Sequence, residues 1–189
     1  MLRLLQGDVG SGKTIVAFLT LISTVEAGFQ GAFMAPTEIL ARQHFEFFKP
    51  IASKIGISVD IITGKDTKSQ RALILEKLET GATNLLIGTH ALFQNEVKFK
   101  NLGYAVIDEQ HKFGVNQRLA LGDKGAGTNI LIMTATPIPR TLTMIGYGDL
   151  DISYLTSKLP GRIPIKTKAI SSERIEEVID GISLSLIHI

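Results

Sequence analysis

Three observations predict an α/β fold with a mostly parallel sheet and helices on both faces. Apolar runs with strand character alternate with helical stretches along most of the chain. A glycine-rich turn, Gly7-Asp8-Val9-Gly10-Ser11-Gly12-Lys13-Thr14, joins the first such strand to the first helix. The apolar run Tyr104-Ala105-Val106-Ile107 ends on two adjacent carboxylates, Asp108 and Glu109. Open parallel sheets bind their ligands beyond the C-terminal ends of their strands, which is where both the turn and the carboxylates fall.

The elements follow in order. Leu2 to Leu5 is a short strand leading into the turn, and Lys13 to Ala27 is a helix that Gly28 can end. Ala32 to Ala35 is a buried strand; Pro36 stops it, and Thr37 can cap a helix running through Phe48. Ile57 to Ile62 reads as a third strand. Thr67-Lys68-Ser69-Gln70 fits a capping box opening a helix to Glu79. Asn84 to Ile87, Tyr104 to Ile107 and Asn129 to Met133 are further strands, and Pro139 to Tyr147 reads as a helix. Past Asp149 the alternation weakens: Pro160 to Pro164 is an irregular connector, Ile165 to Ile170 a strand and Ser172 to Ile182 a helix. The last residues, from Ser183, form an apolar tail without turn signals. These boundaries place one domain over residues 1–155 and a connector over 156–189. The minimal first strand and this tail lead us to expect a piece of a longer protein.

Composition narrows the class. A chain of 189 residues with 44% hydrophobic residues and a mean hydropathy of +0.22 suits a well-buried core. A net charge of +2 is too small to announce nucleic acid, so DNA contacts would have to come from local clusters. The absence of cysteine excludes disulfides and thiolate metal sites. The first apolar run stops at Gly7-Asp8, unlike a secretory signal, and no stretch approaches the roughly 20 apolar residues of a membrane span. A cytoplasmic protein with no membrane partner is expected.

The turn fits G-x-x-x-x-G-K-[ST], the phosphate loop of nucleotide hydrolases. Glycines let backbone N–H groups face one point, and the helix N-terminus behind Gly12 carries partial positive charge. Gly7, Asp8, Gly10, Ser11, Gly12, Lys13 and Thr14 would bind the nucleotide, with Lys13 on the β- and γ-phosphates and the Thr14 hydroxyl on Mg²⁺. Asp108 is placed to hold the hydration shell of that Mg²⁺, and Glu109 to orient or polarise the attacking water. The bland readings are a chance glycine-rich turn and a solvated Asp-Glu turn. Each loses weight because the other motif stands in the same chain.

The pair GDVGSGKT and VIDEQH resembles the superfamily 2 helicases and translocases. Ala35-Pro36-Thr37-Glu38-Ile39-Leu40-Ala41 and Ile87-Gly88-Thr89-His90-Ala91-Leu92 resemble the family's first DNA-contacting motifs. Met133 to Leu142, with Thr134-Ala135-Thr136, resembles the motif that links ATP state to DNA grip. All stand in the family's order. The resemblance is nearest to the bacterial RecG type, through FGVNQR after DEQH, the run TATPIPRTL, and Leu159 to Arg162. The transcription-repair coupling translocase is similar in the same motifs but more often has Phe at the position of Ser11 and Glu at that of Gln110. Lys112 departs from the Arg frequent in the family.

The resemblance implies a RecA-like motor lobe that uses ATP and Mg²⁺ and acts on branched or forked DNA. Lys13, Asp108, Glu109, Gln110 and His111 would be its catalytic set. Pro36, Thr37, Gly88, Thr89, His90, Thr134, Ala135 and Thr136 would contact DNA or couple to it. A wedge domain and a second motor lobe would belong to the same parent chain. Two readings from other classes stay open: a phosphate-loop NTPase without a nucleic-acid role, and a non-catalytic nucleotide-binding fragment. Taken singly, the threonines also read as ordinary caps. His111 reads as a hydrogen-bonded histidine rather than a metal ligand, since it lacks a nearby second His. Lys65, Lys68 and Arg71 form a basic cluster that either touches DNA or is solvated. Lys98 and Lys100 read as solvated, and Phe45, Phe47 and Phe48 as helix packing.

Overall fold

The computed structural model describes residues 1–108, 127–136, 150–156, 167 and 169–187. Its strands are β1 (Leu2–Gly7), β2 (Gln30–Met34), β3 (Val59–Ile62), β4 (Leu85–Gly88), β5 (Leu102–Asp108), β6 (Asn129–Thr134) and β7 (Asp151–Leu155). Its helices are α1 (Lys13–Glu26), α2 (Glu38–Lys54), α3 (Lys68–Thr80) and α4 (Ile175–Ile187). The chain divides into two compact units, Met1–Lys158 and Leu159–Ile189.

In the first unit the strands form one sheet in the order β3-β4-β2-β5-β6-β1-β7. Every neighbouring pair is parallel. Parallel strands need helical crossovers, and these bury both faces, which is why the strands read as continuous apolar runs. The period of two sorts their side chains. Leu5, Phe33, Ile87, Val106 and Met133 face Ala17, Phe18 and Leu21 of α1 and Ala41, Phe48 and Ala52 of α2. Leu4, Met34, Leu86, Ile107 and Ile132 lie on the opposite face with Leu78 of α3. Helices on both faces are therefore found as expected, and the sheet is wholly rather than mostly parallel among the described residues.

The caps match local chemistry. Thr67 and Gln70 exchange the two bonds of a capping box at the start of α3. Thr37 Oγ1 accepts from Leu40 N at 3.3 Å to start α2. That helix runs six residues beyond its predicted end at Phe48, straight through Pro50. Proline deletes one backbone donor, but Pro50 sits on the exposed side while Phe48 and Ala52 anchor the buried side. The helix stops at the left-handed Gly56, whose amide donates to the Ser53 carbonyl.

A buried glutamine fastens the sheet edge opposite the strand C-termini. Gln30 Nε2 donates to the carbonyls of Leu78 and Thr83 at 2.9 and 2.8 Å, and Asn101 N donates to Gln30 Oε1 at 2.9 Å. One side chain thus ties β2 to the end of α3 and the approaches to β4 and β5. Gln30→Leu should keep the volume but strand buried backbone groups, lowering unfolding free energy by about 2–4 kcal/mol in denaturant titrations. A loss below about 0.5 kcal/mol would mean that solvent reaches these groups.

Strand β7 was not anticipated. It lies at the edge beside β1, where Arg3 reaches Ser153 Oγ at 2.9 Å and Asp151 Oδ2 at 3.1 Å. In the second unit a 3-10 turn at Ser172–Arg174 leads into α4, which passes the predicted end at Ile182 and takes in the tail through Ile187. Thr167, Ala169 and Ile170, the described part of the predicted strand over Ile165 to Ile170, are not in a strand. The helix predicted over Pro139 to Tyr147 and the connector over Pro160 to Pro164 lie outside the described residues, as do Arg140 and Arg162.

Candidate active site

Because all seven strands run the same way, their C-terminal ends share one edge. The register makes this a row. Gly88 pairs with Met34, Met34 with Ile107, Asp108 with Met133, and Thr134 with Gln6. By this register Gly88, Asp108, Thr134 and Gly7 stand on successive levels, within three residues of one another along the strand direction. Strand β6 lies between β1 and β5, so the loop and Asp108 are two strand spacings apart, about 10 Å between backbones. A hydrated Mg²⁺ on phosphate spans such a gap.

The loop itself has the expected shape. Ser11 N donates to the Asp8 carbonyl at 3.0 Å, closing a turn. Gly12 is left-handed with φ 93°, and nothing stands within 4 Å of where its Cβ would be. Backbone conformation, rather than space, therefore requires glycine here. Helix α1 starts at Lys13 with no side-chain cap and no acidic residue in its first turn. Its leading N–H groups face no competing carboxylate, the condition for an anion site. Lys13 Nζ donates to the carbonyls of Gly7 and Asp8 at 2.6 and 2.9 Å, so the loop holds its own ammonium in place. Nucleotide phosphates would take over that role. The Ser11 hydroxyl is buried and, among the described residues, has no hydrogen-bond partner.

Asp108 ends β5 with its side chain 14% exposed. Among the described residues, no three His, Asp or Glu side chains converge on a metal position. Mg²⁺ takes hard oxygens, keeps its waters and needs few protein ligands when phosphates are present. The Thr14 hydroxyl and the Asp108 carboxylate are such donors and could hold it. Glu109, Gln110 and His111 lie outside the described residues.

The DNA-side candidates are all at strand ends. Pro36 and Thr37 follow β2, and Thr37 uses its hydroxyl as the α2 cap. Gly88 ends β4. A Cβ there would meet the Ile62 carbonyl at 2.7 Å and Leu92 Cγ at 3.0 Å, so strand packing alone demands glycine. Thr89 is buried and His90 exposed at the start of a 3-10 turn, His90–Phe93. Thr134 is buried at the end of β6, its Oγ1 2.9 Å from Thr136 Oγ1, with Ala135 half-buried between them.

Two features change the sequence reading. The basic cluster is partly neutralised: Lys65 lies 3.4 Å from Glu38, and Arg71 pairs with Glu96 at 2.5 Å and with Gln94, while Lys68 is exposed. Burial tends to raise the pKa of Glu38, but the bonds and charges of Arg42 and Lys65 outweigh it and hold this carboxyl below its ordinary value. Lys100 is not simply solvated. It donates to the Thr80 carbonyl at 3.3 Å, at the C-terminus of α3, where helix carbonyls lack partners.

Sequence reasoning missed His44. Its Nε2 lies 3.4 Å from Asp108 Oδ2, with the side chains 13% and 14% exposed. The signal was its place on the buried stripe of α2, three residues after Ala41 and four before Phe48. Phe48 is buried against Phe18 and Phe33, which bears out helix packing for the aromatics.

The relatives point the same way. The ATP-dependent DNA helicase RecG of Aquifex aeolicus is 52% identical over 180 residues, 94% of this chain and 23% of the relative. RecG of Haemophilus influenzae is 51% identical over 183 residues, 95% of this chain and 26% of the relative. A solved structure of RecG bound to a three-way DNA junction superposes with a TM-score of 0.80 at 44% identity, over 98% of this chain and 25% of that one. The chain thus spans about a quarter of the length of these proteins. The model of the DEAD/DEAH box helicases matches residues 3–145, and with the phosphate loop and the Asp108 strand in place the chain belongs to that family.

Proposed function

We propose that this chain is the ATP-binding lobe of a cytoplasmic DNA motor that remodels branched DNA and stalled forks. The observation that carries the reading is the single row of strand ends, which brings Gly7 to Thr14, Asp108, Thr37, Gly88 and Thr134 to one edge. Similarity to RecG, in sequence and in a junction-bound structure, supports this reading over a transcription-repair translocase. The first unit would be the motor lobe, and the second a connector toward a second lobe, with a wedge domain elsewhere in the parent chain.

Lys13 and the loop amides would grip the β- and γ-phosphates, leaving the bond to be broken aligned with the attacking water. Glu109 would take the proton of that water, and Asp108 with Thr14 would hold the metal that neutralises phosphate charge. Thr134 to Thr136, between loop and carboxylate, would pass the change to the DNA edge with Gln110 and His111. Hydroxyls and amides at Pro36 to Thr37 and Gly88 to His90 suit phosphate contacts that ignore base sequence.

The test is ATP turnover by the full-length protein with and without three-way junction DNA, beside Glu109→Gln. Junction DNA should stimulate the unaltered protein. Glu109→Gln should bind nucleotide normally and lose about 10²-fold or more in turnover. Turnover indifferent to DNA would favour an NTPase without a nucleic-acid role. Joint loss of binding and turnover would make Glu109 a structural residue or a metal ligand.

A further inference from the structure

A histidine on the buried face of a helix ordinarily has its ring nitrogens satisfied, because a buried polar atom without a partner is costly. His44 Nε2 is buried and, among the described residues, makes no hydrogen bond of good geometry. Its ring is fixed from two sides. The Phe33 ring of β2 lies 4.5 Å away and the Phe48 ring, one helical turn on, 5.9 Å away. Packed this way, Nε2 faces the end of β5, 3.4 Å from Asp108 Oδ2. Among the described residues, His44 is the basic side chain that stands beside that carboxylate.

We propose that His44 is a positioning residue for Asp108: its Nε2–H engages Oδ2 and leaves Oδ1 turned toward the metal. The inference rests on Asp108 being the metal-binding carboxylate of the proposed motor lobe. An aspartate at a strand end can rotate about two side-chain bonds. A donor held by two aromatic rings restricts that rotation before the metal arrives. Groups that orient metal-binding side chains in this way commonly change metal affinity by about 10–100-fold when removed. The separation of 3.4 Å is one that a small rotation of Asp108 would close once the site is charged.

Three variants of the full-length protein separate this role from packing. His44→Phe keeps the ring and removes the nitrogens. His44→Gln places an amide N–H near the Nε2 position. His44→Asn carries an amide that stops short of Asp108. The probe is Mn²⁺, which suits the same oxygen ligands as Mg²⁺, titrated by electron paramagnetic resonance with a non-hydrolysable ATP analogue present. His44→Phe and His44→Asn should weaken Mn²⁺ binding about tenfold. His44→Gln should recover most of it, and metal-free nucleotide affinity should stay as in the unaltered protein, while any fall in Tm from lost ring packing should not follow the order of the Mn²⁺ effects. Wild-type Mn²⁺ affinity in His44→Phe would overturn the proposal. So would equal weakening in all three variants, or loss that tracks Tm. Metal binding is read apart from turnover. A parent protein without DNA-stimulated turnover would therefore count against the helicase reading while the Mn²⁺ series still decides the role of His44.

Discussion

Lys13→Ala in the full-length protein should reduce ATP turnover by roughly 10²–10⁴-fold while leaving the fold intact. The figure follows from two charge-assisted contacts to phosphate at about 1.5–3 kcal/mol each, with about 1.4 kcal/mol per factor of ten. The fold should survive because, among the described residues, Lys13 Nζ contacts only carbonyls of its own loop, Gly7 and Asp8. Turnover, nucleotide affinity and Tm are the three measurements. Near-normal turnover would remove the phosphate-loop assignment. A fall in Tm of several degrees would mean that the ammonium holds the loop as a structural part, and the lost activity would then say little about phosphate.

Phe48→Ala should be the most destabilising single truncation on the helical face of α1 and α2. Phe48 is fully buried, stacked on Phe18 with ring centroids 4.4 Å apart and edge-on to Phe33 at 5.2 Å. Removing such a ring leaves a cavity and costs about 3–5 kcal/mol. For a chain of this size that is a fall in Tm of roughly 6–20 °C. Phe47 is the control. It touches the same cluster but is 40% exposed, and Phe47→Ala should cost well under half as much. Equal losses would mean that the aromatic cluster, rather than the sheet-facing residue alone, holds α2.

Most of the strand ladder is legible from composition, because strands buried on both faces leave no polar alternation to interpret. Strand β7 escaped notice for the opposite reason. Asp151-Ile152-Ser153-Tyr154-Leu155 is an edge strand with Asp151 and Tyr154 exposed, and it is held by its ladder to β1, a strand 148 residues earlier whose pairing no local pattern specifies. The extension of α2 across Pro50 was hidden because the cost of a helical proline depends on which side of the helix it occupies, and packing decides that. The phosphate loop and Asp108 were readable because their chemistry demands particular residues at particular spacings. His44 was not, since a histidine on an apolar stripe looks like any core histidine until the strand it faces is known. The pairing of Arg71 with Glu96, 25 residues apart, depends likewise on a turn no local pattern specifies.

The position of β1 has a consequence for how the protein is made. Of the strands in this sheet β1 is made first, yet its two neighbours are β6, with Leu2 opposite Ile130, and β7, with Arg3 opposite Asp151. Strands β3, β4, β2 and β5 can zip together as they emerge, each beside a strand already made or soon to follow. β1 must wait, solvated, until the chain beyond Asn129 arrives. Closing so long a loop is slow, as it is for other topologies built on distant pairings. The turn from Gly7 to Thr14, the proposed nucleotide site, should therefore gain its strand footing late in folding. A nascent chain stalled before Asn129 would carry Gly7 to Thr14 on a segment whose two sheet neighbours, β6 and β7, are not yet made.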